Sequence, residues 1–362
     1  FSGNGLPIPI NSGIKLYQPQ FTVNYPAFKG GEKIFDILIA RKHVKASQLQ
    51  SGLSEQELLF NTAKYYYILE QKLDQLVIQQ HNTKEARALL ELNQARLDSG
   101  AGTTLEVMQS KAQLAKAEQD YIEAYLSAQL TASELNELLN LPALISVIPR
   151  DTSQKQQVLI PSTFTLEQLL TNAHESRLDI QYQQQQIRKT KHERNKNISG
   201  YLPQANLQYM NGALGNSIDS MQAVEQTNLS VGFNFKNAGA SDLTQFVADS
   251  AQVNEQQHQL QAQYNLVDKR IKHAFLNANA AHSKISTSRI ELEATEKALS
   301  DAKERLSLGV GLHLDVIDAE THWVEAQTRL SQAICDYNIA QVNLVFQLGR
   351  ASIQTLTQGI SE

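Results

Sequence analysis

The run of residues 241–308 constrains the fold more than any other feature of this sequence. It contains no proline, and no glycine interrupts it before Gly309. An α-helix rises 1.5 Å per residue, so a helix over this run extends for roughly 100 Å. That length is several times the diameter of a compact domain. A chain with this segment cannot fold as an ordinary globule.

Apolar and small residues recur inside this run with alternating spacings of four and three, the heptad pattern of a coiled coil. Small side chains at about half of these positions permit close approach of a neighbouring helix. A second long helix is predicted from about Glu32 to Leu97, with Gly52 as a weak point inside it. The heptad positions within the run 241–308 are Leu260, Tyr264, Val267, Ile271, Ala274, Ala278 and Ala281.

The two halves of the chain repeat each other. The segment Arg96–Val107 aligns with Arg305–Val316 at an offset of 209, and residues 23–31 align with 231–239 at an offset of 208. Self-similarity at a nearly constant offset indicates two copies of one structural unit. Each copy is predicted to contain a strand, a turn, a long helix, a glycine-bearing tip and a returning helix.

The tips are predicted from paired glycines between the long helices. Glycine adopts the left-handed or tightly turned backbone that ends one helix and starts the next. Thr103 or Thr104 can cap the returning helix of the first copy. Each copy therefore holds a helical hairpin with a tight tip. The glycines are Gly100 and Gly102 in the first copy and Gly309 and Gly311 in the second.

We predict a first repeat over 1–143, an equatorial linker over 144–163, a second repeat over 164–350 and a C-terminal tail over 351–362. Residues 164–200 are predicted to form a helix, followed by Leu202, Pro203 and a strand. Their first-copy equivalents would precede residue 1. An N-terminal helix and most of one strand are therefore expected to be missing from this sequence.

Three short segments alternate apolar with polar residues, which is typical of barrel strands with lipid outside and water inside. An ordinary antiparallel sheet over a soluble core is the alternative. Three strands, or four with the missing one, cannot close a barrel, because about eight are needed. Three protomers with four strands each would give about twelve. The predicted membrane-facing residues are Val23, Tyr25, Leu207, Tyr209, Leu229, Val231 and Phe233.

Composition and motifs argue against two classes of protein. Lys and Arg total 32 against 37 for Asp and Glu, so no basic excess favours a nucleic-acid partner. The sequence contains no phosphate-binding loop, HExxH, CxxC or nucleophile elbow. We therefore predict a protein that is not an enzyme and that has no cofactor and no metal. Cys335, among small apolar residues, is predicted to be a packed thiol.

Together these features resemble the TolC-like outer-membrane efflux proteins, and the resemblance covers essentially the whole chain. It implies a mainly α fold with short antiparallel β strands. The long coiled-coil helices would form a periplasmic α-barrel, and three protomers would share a twelve-strand transmembrane barrel. The segments that carry it are 96–100 with 105–107, 305–309 with 314–319, Pro26–Gly31, Leu202–Pro203 and Leu348–Gly349.

The resemblance implies a passive channel of a tripartite efflux or type I secretion system in the outer membrane of a Gram-negative bacterium. Its expected partners are two further copies, a periplasmic adaptor, an inner-membrane transporter, outer-membrane lipid, and exported small molecules or proteins. The alternative is a periplasmic coiled-coil adaptor or scaffold. An adaptor would carry one hairpin between compact β domains, whereas this sequence has two related hairpins.

The resemblance also implies a site at the second tip. Asp315 and Asp318 match the positions where family members constrict the periplasmic entrance, and a spacing of three places both on one helix face. Threefold symmetry would gather about six carboxylates around one opening, which favours cations. The alternative is that both aspartates only supply negative charge near a helix start. Adaptor docking is expected at the tip turns, with Arg96, Leu105, Arg305 and Leu314.

The sequence departs from the family at several tip positions. Some members close the tip with an arginine and a tyrosine, but the matching positions here are Gly311 and Leu306. The first tip carries Glu106 and Gln109 where the second has aspartates. His313 is predicted to be a solvated tip histidine and not a metal ligand, because no second ligand lies at a fixed spacing nearby.

Overall fold

The computed structural model describes residues 18–142, 144–145, 147–149, 154–161, 163–215, 217–233 and 240–360. Short 3₁₀ turns cover Ser199–Tyr201 and Ile218–Ser220. The helices and strands in chain order are β1 (Gln20–Lys29), α1 (Glu32–Asp98), α2 (Thr104–Leu138), α3 (Leu166–Ser176), α4 (Leu178–Ile198), β2 (Gln204–Leu214), β3 (Gln222–Gly232), α5 (Ala240–Ser307), α6 (His313–Gln347) and α7 (Ile353–Gln358).

The chain divides into two compact units, whose limits fall inside α1, α4 and α5. The strand unit comprises the described residues of 1–47 and 182–260 and contains the sheet. The hairpin unit comprises the described residues of 48–181 and 261–362 and contains both helical tips. No helix among the described residues is both long and apolar enough to cross a membrane.

The sheet of the strand unit is antiparallel, in the order β1-β2-β3. Tyr25 lies opposite Leu207, which lies opposite Leu229, so these three side chains share one face. The neighbouring row, Asn24, Gln208 and Asn228, belongs to the other face. The predicted alternation therefore produces one largely apolar and one polar face. Both faces lie open in this chain, because Tyr25 and Leu229 on the apolar face and Asn24 and Asn228 on the polar face are exposed.

One strand prediction was wrong at its end. β3 ends at Gly232, which pairs with Gln204, the first residue of β2. Pro203 precedes Gln204 and has no backbone N–H, so the ladder stops there. Phe233 lies one residue beyond the strand, with its side chain exposed. Phe235, predicted to belong to the same strand, lies outside the described residues.

The turn from β1 into α1 depends on glycine. Gly30 has φ +56°, and a Cβ there would lie 2.0 Å from the backbone oxygen of Ser199. Beside this turn, Lys196 contacts Asp36 at 2.7 Å and Glu32 at 3.4 Å. The Pro26–Gly31 segment therefore brings the start of α1 against the end of α4 within the strand unit.

The predicted helical hairpins are confirmed in the hairpin unit. α1 and α5 span 67 and 68 residues, and α2 and α6 return for 35 residues each. Gly52 does not break α1, and a Cβ there would lie 2.8 Å from Cδ1 of Leu178. Glycine at this position makes room for a packed leucine. The predicted seam is buried at Val267, Ile271, Ala274, Ala278 and Ala281.

The prediction of one helix over 164–200 was wrong. α3 ends at Ser176 and α4 begins at Leu178, because Arg177 is extended with φ −66° and ψ 124°. The residues at this break bind the C-terminal end of α6. Ser176 Oγ donates to the oxygen of Leu348 at 2.8 Å, and Arg177 Nη1 donates to the oxygen of Gln347 at 2.5 Å. Carbonyls that lack helical partners are thereby satisfied.

Polar side chains of α6 hold part of the predicted linker. Asn338 accepts from the backbone N–H of Gln157 and donates to the oxygen of Lys155, both at 2.8 Å. Gln341 accepts from the N–H of Ile160 at 3.0 Å. Cys335 lies on the same helix and is buried as predicted, with its Sγ 3.4 Å from the oxygen of Tyr67. Burial raises the pKa of this thiol to about 12.

Candidate functional site

The first tip is a tight turn closed by backbone hydrogen bonds. Gly100 has φ +77°, and the N–H of Ala101 donates to the oxygen of Arg96 at 2.8 Å. Thr103 caps α2: its Oγ1 accepts from the N–H of Glu106 at 3.3 Å, and its own N–H donates to Glu106 Oε2 at 2.7 Å. These two hydrogen bonds satisfy backbone N–H groups that have no helical partner at the start of α2. Of the two predicted caps, Thr103 is therefore the one that the structure shows.

The second tip repeats the turn with a different cap. Gly309 has φ +76°, and a Cβ at Gly311 would lie 2.8 Å from the nitrogen of Leu306. Leu312 occupies the cap position and has no side-chain acceptor. The carboxylate of Asp315 instead accepts from the N–H of Leu312 at 3.4 Å. Asp315 and Glu106, equivalent in the repeat, therefore have the same local role.

Exposed apolar side chains surround both turns. Leu105 and Leu314, which we expected at a docking surface, are exposed. Leu308, Val310 and Leu312 at the second turn are each about 70% exposed. Arg305 is exposed, whereas Arg96 is half-buried. Leu306, at the position of the family's latch residue, is buried against Leu299 and Val316, so its role here is in packing.

Asp315 and Asp318 both lie exposed on the first turns of α6. The cap contact with Leu312 gives Asp315 a local structural role. No such contact accounts for Asp318 among the described residues. The cap contact therefore accounts for Asp315, whereas Asp318 lies exposed one turn further along α6.

The prediction of a solvated His313 was wrong. This side chain is only 4% exposed, and it joins the second tip to the first hairpin. Its ring nitrogens lie 3.1 and 3.3 Å from Asn93 Nδ2, and its Nε2 lies 3.0 Å from Ser110 Oγ. Asn93 Nδ2 also donates to Ser110 Oγ at 2.7 Å. Burial lowers the pKa of His313, although the nearby charge of Glu106 opposes this.

Nothing local in the sequence indicated this cluster. Asn93 and Ser110 precede His313 by 220 and 203 residues, and only the packing of α6 against the first hairpin unites them. Among the residues that the structure describes, no group of three His, Cys, Asp or Glu side chains is arranged to hold a metal ion.

Glu320 lies seven residues after His313 on α6, and it is 1% exposed. A heptad spacing places both side chains on the same face of the helix. Nearby, Lys303 Nζ binds Glu85 Oε2 at 2.5 Å and joins α5 to α1. Burial raises the pKa of Glu320 to about 6; the charge of Lys303 lowers this pKa and the charge of Glu85 raises it. Sequence reasoning missed this carboxylate as well.

We expect His313→Gln to lose less stability than wild type as the pH falls from 7 to 5. Because the folded pKa of His313 is lowered, the unfolded chain takes up a proton first as pH falls below the ordinary value, and stability is lost. Glutamine retains polar contacts with Asn93 and Ser110 but does not titrate. One proton accounts for at most about 1.4 kcal/mol per pH unit.

The measurement is thermal unfolding of wild type and His313→Gln at pH 7, 6 and 5. Glu320 contributes with the opposite sign, because its raised pKa favours the folded state as pH falls. It is present in both proteins, so it cancels in the comparison. Identical pH profiles for the two proteins would show that His313 does not titrate differently on folding. His322, which is exposed, supplies the matched control His322→Gln.

Comparison with known proteins assigns the chain to a family. Residues 11–141 and 169–350 match the model of the family described as outer membrane efflux protein. The chain belongs to the outer membrane efflux protein family. The two matched segments include both hairpins and both tips, and the predicted resemblance to TolC-like proteins is confirmed.

Two relatives and one solved structure place this efflux protein within its family. The alkaline protease secretion protein AprF of Pseudomonas aeruginosa is 22% identical, over 93% of this chain and 69% of its own length. The outer membrane protein TolC of Salmonella enteritidis is 22% identical, over 83% of this chain and 63% of its own length. The chain thus spans about two thirds of these relatives. The crystal structure of the outer membrane protein VceC from Vibrio cholerae shares the fold, with a TM-score of 0.73, 16% identity, and coverage of 92% of this chain and 86% of that one.

Proposed function

We propose that this efflux protein is a passive outer-membrane channel of a tripartite efflux or type I secretion system. The observation that carries the proposal is the three-stranded sheet with one apolar face and one polar face, both of which are open. An exposed apolar sheet face in water would invite aggregation. Lipid against the apolar face and water against the polar face give both surfaces a suitable environment.

Closure of a barrel requires more strands than one chain supplies. β1 and β3 are the two edges of the described sheet, and their unpaired backbone groups need partners. We propose that three copies share one barrel of about twelve strands in the outer membrane of a Gram-negative bacterium. The long hairpins of the same copies would then line a periplasmic tunnel, with one repeat over 1–143 and the other over 164–350.

We propose that Asp315 and Asp318 narrow the periplasmic end of this tunnel. Both carboxylates are exposed and one turn apart, and a cap role accounts only for Asp315. A ring of about six carboxylates in a narrow opening attracts cations and can hold a multivalent one.

The exposed apolar residues at the tips support a docking role. Leu308, Val310 and Leu312 are open to solvent beside Arg305. We propose that these turns contact a periplasmic adaptor, which joins the channel to an inner-membrane transporter that supplies the energy. AprF is named for secretion of an alkaline protease and TolC as an outer membrane protein. The exported cargo of this chain is accordingly proposed to be small molecules or proteins.

The channel proposal is tested by measuring the mass of the assembled protein and its conductance. Light scattering of the detergent-extracted protein, with the detergent subtracted, should give about three times the 40.4 kDa of one chain. The same preparation should open ion-conducting pores in planar bilayers. A detergent-free soluble monomer without conductance would overturn the proposal and favour a coiled-coil scaffold.

We expect the double variant Asp315→Asn, Asp318→Asn to raise single-channel conductance several-fold and to weaken block by multivalent cations, because the charged ring would be neutral. The matched control is Asp301→Asn, Glu304→Gln, which removes two exposed carboxylates from α5 near the same tip. If both double variants conduct like wild type, the constriction is not formed by Asp315 and Asp318.

A further inference from the structure

A cavity of about 580 Å³ lies between α1, α5 and α6 in the hairpin unit, close to the second tip. Its walls are largely apolar, with Leu89, Leu92, Leu306 and Val316 among the lining residues. A volume of this size falls within the range of about 300–1,000 Å³ that small-molecule sites occupy. The cavity is therefore large enough for an organic ligand of moderate size.

One buried carboxylate belongs to a residue that lines this apolar space. Glu320 lines the cavity and is 1% exposed, and its Oε1 makes no hydrogen bond to any described residue. A buried polar atom without a partner is costly, and an ionised one is costlier. A hydrogen-bond donor carried by a ligand would remove this cost.

Two of the other charged groups of the lining pair with each other. Lys303 on α5 binds Glu85 on α1 at 2.5 Å. Arg96 on α1 interacts electrostatically with Glu106. Lys303 and Glu85 also act on Glu320, but with opposite signs. Glu320 forms no ion pair with a described residue, and its Oε1 accepts no hydrogen bond from one.

We propose that this cavity binds a small amphipathic amine, whose protonated nitrogen donates to Oε1 of Glu320 and whose apolar body contacts Leu89, Leu92 and Leu306. A cationic donor suits a carboxylate with an open acceptor better than a neutral donor does. Such a ligand touches α1 of the first hairpin and both helices of the second. It would link the two hairpins along their helices, close to the tips. This binding does not depend on whether the protein conducts ions.

The experiment compares two probes of almost the same shape. 1-Naphthylmethylamine carries the ammonium group, and 1-naphthalenemethanol replaces it with a neutral hydroxyl. Binding of each to the detergent-extracted full chain is followed by titration of naphthalene fluorescence at pH 7. The amine should bind saturably and at least about tenfold more tightly, because only it supplies a charge-assisted hydrogen bond. The alcohol partitions into detergent at least as well, so it reports non-specific uptake.

Two variants test the site, and each removes a different property. Glu320→Gln keeps the shape and removes the charge, and Ala88→Phe fills the cavity from an exposed position of α1. Each should weaken the amine at least about tenfold. Glu304→Gln removes a nearby exposed carboxylate of α5 and should leave binding unchanged. The Asp315→Asn, Asp318→Asn variant should also retain binding, which separates this site from amine bound at the tip.

Affinity should also follow the charge of Glu320. Its pKa of about 6 predicts binding about tenfold weaker at pH 5 than at pH 7, since an alkylamine stays protonated throughout this range. Glu320→Gln should abolish this dependence of binding on pH. The proposal is wrong if the amine fails to saturate, if the alcohol binds equally well, or if Glu320→Gln binds like wild type.

Discussion

Replacing Arg177 with methionine is expected to lower the free energy of unfolding by about 3–5 kcal/mol. This is the typical cost of removing one partner of a buried ion pair, because the other charge is left without compensation. Arg177 is 7% exposed and binds Asp179 through two parallel contacts of 2.8 and 2.6 Å. It also donates to the backbone oxygen of Gln347 at the end of α6. Methionine keeps the aliphatic stem but leaves this oxygen and the Asp179 carboxylate without their cationic donor.

The control for Arg177→Met is Arg329→Met. Arg329 pairs with Glu291 on the surface, where both side chains are close to half exposed. Such pairs contribute about 0–1 kcal/mol. Thermal unfolding of both variants should therefore separate them clearly. Equal losses of stability in the two variants would contradict the assignment of Arg177 as a buried structural anchor.

The same variant should change the acid sensitivity of the protein. Burial acts to raise the pKa of Asp179, but the hydrogen bonds and charge of Arg177 outweigh it and hold the pKa below its ordinary value. A carboxylate with a lowered folded pKa stabilises the protein above its unfolded pKa, and this contribution is lost as pH falls through the folded one. Wild type should therefore lose more stability below about pH 4 than Arg177→Met loses.

Replacing Asn338 with alanine is expected to cost about 2–3 kcal/mol and to loosen residues 155–157 from α6, while Gln154 and Ile160 keep their own hydrogen bonds to this helix. Asn338 is fully buried and makes two hydrogen bonds to backbone atoms of this segment. Each bond contributes about 1 kcal/mol, and the lost side-chain volume adds to the cost.

Lys155 makes this prediction directly measurable, because trypsin cleaves after lysine. Native wild type should resist cleavage at this bond, and Asn338→Ala should be cut there faster. Asn343→Ala on the same helix is the matched control, since the hydrogen bond of Asn343 among the described residues is the one that it accepts from Gln347 one turn away. Its cost should stay below about 1 kcal/mol. Unchanged cleavage in Asn338→Ala would show that Asn338 does not hold the segment.

The family and most of its architecture were predictable from the sequence because their signals are local. Helical periodicity without proline predicted α1 and α5 nearly to their ends, and paired glycines predicted both tips. Alternation over Phe21–Tyr25 and Thr227–Val231 predicted strands whose two faces differ. Each of these signals lies within the residues that form the element, so no knowledge of a partner is needed.

The site was only partly predictable. The positions of Asp315 and Asp318 on one exposed helix face follow from their spacing, and their role at an entrance stays a proposal. The burial of His313 and Glu320 could not be derived, because a heptad position becomes buried only where another helix covers it. Polar residues at such positions look like surface residues in the sequence.

What the sequence by itself determined is most of the elements: two helical hairpins, their glycine turns and the alternating strands. Tertiary structure alone decided three features. They are the helix break at Arg177, the contact of His313 with Asn93 and Ser110, and the hydrogen bonds of Asn338 to the backbone of residues 155 and 157. Each of these joins groups more than 150 residues apart. Their pairing depends on the register between packed helices, which side-chain volumes set along the whole interface and no short segment encodes.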